Sequence, residues 1–113
     1  MEHGDRAGAA FWSQQAAEKA LKALLLFFKG EFPKTHNIKR LFAELDSNIG
    51  LSEDELEDAY ELTQYYHLAR YPDIVEGLPD EAISWRSARR AVETARRVIR
   101  AAEAALEEAV REG

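Results

Sequence analysis

A chain of 113 residues, 46% hydrophobic and 32% charged, is long enough for one packed domain and too apolar to remain disordered. It has no cysteine, which excludes disulfide frameworks, thiolate metal sites and cysteine nucleophiles. The net charge of −6 is segregated: residues 1–43 carry seven Lys/Arg against four Asp/Glu, residues 44–83 one Arg against twelve acids, and residues 84–113 seven Arg against five Glu, so the middle repels nucleic acid while both ends tolerate it.

The first predicted element is a helix from about Ala7 to Lys29, stopped by Gly30 and then Pro33. From Ala20 to Phe28 its only polar residue is Lys22, so this half is apolar on almost every side. Such a helix has to be covered on more than one face, by the other helices or by a second copy of the chain. A short helix follows over about Asn37 to Ser47, with Ile38, Leu41, Phe42 and Leu45 at helical spacing and Thr35 as its expected cap.

After a turn, Ser52-Glu53-Asp54-Glu55 reads as a capping box, in which serine hydroxyl and glutamate each satisfy a free backbone amide. The helix it opens is expected to continue through Tyr66 and His67 and to end near Arg70, because Pro72 disfavours helical angles at Tyr71. The last helix is expected to open at Pro79 and to reach Val110. Its apolar stripe is Ala88, Val92, Ala95, Ile99, Ala102, Leu106 and Ala109, while the opposite face holds Arg89, Glu93, Arg97 and Arg100. There Glu93 is placed to pair at i−4 and i+4. The fold class is an all-α, up-and-down bundle of four to five helices forming a single domain over residues 1–113. No signal peptide and no membrane-length apolar run is evident, so a cytoplasmic location is expected.

Motifs for metal-assisted or phosphate-loop chemistry are missing. The three histidines (His3, His36, His67) are dispersed, with no HExxH, and neither GxGxxG nor GKS occurs. Three polar groups remain. The first is Gln14-Gln15 with Glu18, Lys19 and Lys22 on an otherwise apolar helix, of which Gln15, Lys19 and Lys22 share a face suited either to an anion or to solvent. His36 and Arg40 sit one turn apart at the start of the short helix, where free amides and positive side chains suit a phosphate. His67 and Arg70 neighbour each other in a last turn, with Asp73 in reach of Arg70 beyond the proline. Arg70 there also suits the negative end of the helix dipole without any functional role.

Read together, "FWSQQAAEKALKALLLF", "THNIKRLFAEL" and "YYHLARYPD" resemble the HEPN domain over about residues 9–105. The resemblance implies a four- or five-helix bundle that dimerises, in keeping with the over-apolar first helix. It also implies nucleotide binding and partnership with a minimal nucleotidyltransferase in a two-component, toxin–antitoxin-like pair. The ligand-binding residues expected on this reading are Lys19, Lys22, His36, Arg40, His67, Arg70, Tyr71 and Asp73. The lysines and Arg70 would hold phosphate, and Tyr71 would stack or donate its hydroxyl. No cofactor, metal or membrane is expected. Ribonuclease members of the family share an Arg, four to six residues, then His. Here no arginine lies five to seven positions before His36 or His67, so binding is favoured over cutting. A metal-independent ribonuclease toxin acting on RNA is the alternative, and a ligand-free interaction module is a further one.

Overall fold

A computed structural model describes residues 5–70 and 83–113. Among them lie five helices: α1 (Arg6–Lys29), α2 (Ile38–Leu45), α3 (Glu53–Glu61), α4 (Thr63–Arg70) and α5 (Trp85–Glu112). The expected all-helical bundle is what the chain forms. No described helix is long and apolar enough to cross a membrane.

α1 and α5 make the most extensive helix pair. They run parallel: Arg6 at the start of α1 sits 5.5 Å over the ring of Trp85 at the start of α5, and Phe28 near the end of α1 lines a recess with Ala105 and Ala109. α2, α3 and α4 close the other side, and the core lies between them at Leu21, Leu25, Ile38, Leu41, Leu62 and Val98, all below 2% exposed.

Local chemistry accounts for most of the boundaries. α1 ends where Gly30 takes a left-handed φ of 76° and returns its N–H to the Leu26 carbonyl at 2.9 Å. The predicted capping box opens α3: Ser52 Oγ accepts from the Glu55 N–H at 3.1 Å, and Glu55 Oε1 accepts from the Ser52 N–H at 2.9 Å. Ser52→Ala removes one of the two bonds and is expected to cost about 1 kcal/mol, read as a lower urea midpoint with unchanged slope.

Three expectations are corrected. α2 is capped by Asn37, whose side chain accepts from the Arg40 N–H, while Thr35 Oγ1 instead braces the Asn37 N–H. The continuous helix expected from Ser52 to Arg70 breaks at Leu62, where Leu62 N–H reaches Ala59 and Tyr65 N–H reaches Leu62, both three-residue closures. Leu62 turns into the core, and Thr63 Oγ1 accepts the Ile38 N–H at 3.0 Å, so the break lets one helix cap another. α5 opens at Trp85, with Ser84 as its cap. Pro79 lies outside the described residues.

The buried face of α5 is Ala88, Ala91, Thr94, Ala95, Val98 and Ala102. This is the predicted stripe turned toward its alanines, which let α1 approach closely. Val92 and Ile99 are left half-buried at the edge, and Leu106 is exposed. On α1, Trp12 (65% exposed), Leu26 and Phe27 (both 52%) face away from the core and have no cover within the described chain.

Candidate functional site

α1 carries a polar line, Gln14, Glu18 and Lys22, at four-residue steps on the flank that faces the α1–α2 connection and α4. Four-residue spacing puts these side chains one above another. Apolar Ala17, Leu21 and Leu25 beside them press the line against the body of the bundle. Gln14 is fully buried and Glu18 is 4% exposed, so the charge of Glu18 has to be met by specific partners.

It is met by three. Glu18 Oε1 accepts from Gln14 Nε2 at 2.8 Å and from His36 Nδ1 at 3.0 Å, and Oε2 accepts from Lys22 Nζ at 2.9 Å. Gln14 Nε2 also lies 3.3 Å from the His36 carbonyl, and Gln15 donates to Gln14 Oε1 at 2.7 Å. Burial by itself would raise the Glu18 pKa. The hydrogen bonds from Lys22, Gln14 and His36, with the charge of Lys22, outweigh it and hold the carboxyl below its ordinary value.

An ionised carboxylate only accepts, so His36 must carry its proton on Nδ1. In the neutral ring this assigns the tautomer and makes Nε2, which bonds to no described residue, the acceptor. The imidazole is clamped from its other side by Tyr66 of α4, stacked at 3.9 Å and 13°. His67 meets the Tyr66 ring at 5.6 Å, edge on. The His36 side chain is nonetheless 47% exposed. The result is an imidazole oriented from two sides, whose Nε2 bonds to no described residue. Beside it Gln15, Lys19, Lys22, Leu26 and Phe32 line a shallow recess of about 340 Å³, in which Lys22 Nζ lies 5.3 Å over the Phe32 ring.

The structure therefore gathers Lys22, His36 and His67 around Tyr66 and Glu18, with Lys19 on the rim. Arg70 is exposed in the last turn of α4, one turn beyond Tyr66. Arg40 is turned elsewhere, its Nε 3.6 Å from Glu44. The free amides expected at the start of α2 are occupied, Ile38 N–H by Thr63 and Arg40 N–H by Asn37. Tyr71 and Asp73 lie outside the described residues. Gln14 and Glu18 stand out in the sequence as members of a polar group but are not among the expected site residues. Grouping Gln15, Lys19 and Lys22 on one face followed the exposed register, whereas the buried one is Gln14, Glu18 and Lys22. The available signal was an acid and an amide set among apolar positions at 10, 17, 21 and 25. Among the described residues no three His, Asp or Glu side chains are grouped to hold a metal ion.

A family model of the HEPN domain matches residues 1–108. No curated protein and no solved structure matches the chain.

Proposed function

Since the chain belongs to the HEPN domain family, which supports a nucleotide- or RNA-related role, we propose that it is a small dimeric protein that binds nucleotide at the Glu18–His36–Tyr66 edge. On this reading it acts with a minimal nucleotidyltransferase in a two-component, toxin–antitoxin-like pair, in the cytoplasm. The observation that carries the binding half is the fixed imidazole: Glu18 and Tyr66 set the orientation of His36, its Nε2 bonds to no described residue, and Glu18 also lines the recess with the cationic rim. A nucleotide would meet an acceptor at Nε2, apolar surface at Leu26 and Phe32, and the ammonium of Lys19 for phosphate. Lys22 contributes less charge than its type suggests, because Glu18 already pairs it.

Dimerisation is supported by the outer face of α1. Trp12, Ala16, Ala23 and Phe27 form one line along it, interrupted by Lys19 between Ala16 and Ala23, so the line runs beside the recess and shares Ala23 with its rim. A second copy is the occupant this face fits, because two such lines are self-complementary across a two-fold axis.

Calorimetric titration of ATP and other nucleotides tests the binding half. Binding at micromolar to millimolar Kd is expected for the wild type, weakened at least tenfold by His36→Ala and by Lys19→Ala. Absence of heat with every nucleotide removes this half of the proposal. A second reading, a metal-independent ribonuclease, is favoured by the carboxylate–imidazole pair, which has the geometry of an oriented general base. Incubation with tRNA and total RNA in the presence of a chelator separates the two. Cleavage lost in both His36→Ala and Arg70→Ala would establish the second.

A further inference from the structure

Apart from Arg111, which faces Glu107 at 3.9 Å, the arginines of α5 divide into two sets. Arg90 and Arg97 point to α3, where Arg90 Nη2 lies 2.7 Å from Asp58 Oδ1 and Arg97 Nε 3.6 Å from Glu55 Oε2. Alongside them on the solvent-facing side of α5 lie Arg86, Arg89, Arg96 and Arg100, all exposed. Among the described residues, none of these four makes an ion pair. With Glu93 they follow one another at steps of three, four, three and four, so they form a single row along the helix. The pairing of Glu93 with Arg89 and Arg97 expected from spacing does not form, Arg97 being held by Glu55 instead. The row covers roughly 21 Å at 1.5 Å per residue. Four permanent positive charges against one acid thus stand in line on a chain whose net charge is −6.

We infer that this row is a track for the phosphodiester backbone of a single-stranded polynucleotide, separate from the Glu18–His36 recess. The inference rests on the nucleotide- or RNA-related reading only for the class of polyanion. Three features favour phosphodiester. All the cations are arginine, whose planar fork takes phosphate oxygens two at a time. They stand in a straight row a turn or two apart, so each can meet a different phosphate of one strand. Of the acids on α3 that a second copy would bring, Glu55 and Asp58 are already paired with Arg97 and Arg90 of their own chain. The segregation of charge in the sequence gains a structural meaning here. α3 pairs with Arg90 and Arg97 and leaves the neighbouring row without an ion pair among the described residues.

The test is fluorescence anisotropy with a labelled 20-mer of oligo-uridylate and one of oligo-thymidylate, between 25 and 200 mM salt. The wild type is expected to bind both, with affinities within a few-fold, because the row reads phosphate alone. In Arg89→Ala/Arg96→Ala/Arg100→Ala the affinity at 25 mM salt is expected to fall at least tenfold. The slope of log K against log salt should shrink by about 2, close to 0.7 for each phosphate that is no longer neutralised. Alanine keeps the helix, so the melting curve serves as the folding control. His36→Ala should leave polynucleotide binding intact, and the triple variant should leave nucleotide heats intact, which separates failure of the track from failure of the recess. Wild-type affinity in the triple variant, or no binding of either oligomer at 25 mM salt, overturns the track. A preference above tenfold for one oligomer overturns readout by phosphate alone. Equal binding of poly-glutamate at matched charge overturns the polynucleotide in favour of an acidic protein.

Discussion

Glu18→Ala is expected to destabilise the domain by about 3–5 kcal/mol, the range for removing one member of a buried, hydrogen-bonded charge pair. Lys22 and the Nδ1 of His36 lose their acceptor at once, and Gln14 keeps only the 3.3 Å contact to the His36 carbonyl. Gln14 has no solvent to turn to, and the side chain of Lys22 is only 16% exposed. Glu18→Gln keeps the volume and one acceptor but no charge, and a smaller loss of about 1–3 kcal/mol is expected. Urea unfolding followed by circular dichroism reads both. A Glu18→Ala loss below about 1 kcal/mol would mean that water replaces the carboxylate and that the line is not a structural centre.

The same group sets an acid dependence. Its folded pKa lies below the ordinary value of 4.5, so the unfolded chain takes up the proton first as pH falls. The stabilisation from ionised Glu18 is complete above the unfolded value and is lost as pH drops through the folded one. Wild type and Glu18→Gln should therefore differ fully at pH 7 and converge at acid pH, below the folded value. A gap that stays constant down to pH 3 would contradict the assignment of the charge to this network.

Trp12→Glu/Phe27→Glu is expected to convert the proposed dimer to monomer. A central aromatic anchor is worth about 2 kcal/mol or more at an interface, roughly thirtyfold in Kd for each residue. Neither side chain supports the core, so monomer stability is expected to stay within about 0.5 kcal/mol. Light scattering across a concentration series reads the mass, and thermal melting provides the control. A wild type that is strictly monomeric at micromolar concentration would refute the dimer.

Legibility followed the range of the interaction that decides each feature. Helix ends were readable where a few consecutive residues hold the whole cause: Gly30 supplies its own left-handed turn, and Ser52 with Glu55 closes its own box. Caps made at a distance were not. Thr63 lies 25 residues beyond the Ile38 amide it accepts from, and the break at Leu62 that puts it there depends on where the core is. Likewise the stripe on α5 was right in period and wrong in rotation, because periodicity defines a face only to within about one residue. The closeness of α1 then selected the alanines.

The candidate site divides along the same line. His36, His67 and Lys22 were visible as residue types at helical spacings, but spacing could not say that His36 and Tyr66 would stack or that His36 would point at Glu18. Residues alone determined that this protein is an all-helical bundle, where most of its helices stop, and that its charge is segregated into thirds, since these follow from local backbone preference and composition. Tertiary structure alone decided that Glu18 is buried at the centre of a network, that His36 is held by Glu18 and Tyr66, and that α3 pairs with Arg90 and Arg97 of α5. Each of these joins side chains 18 or more residues apart, and only the packed helices bring such groups within hydrogen-bonding distance.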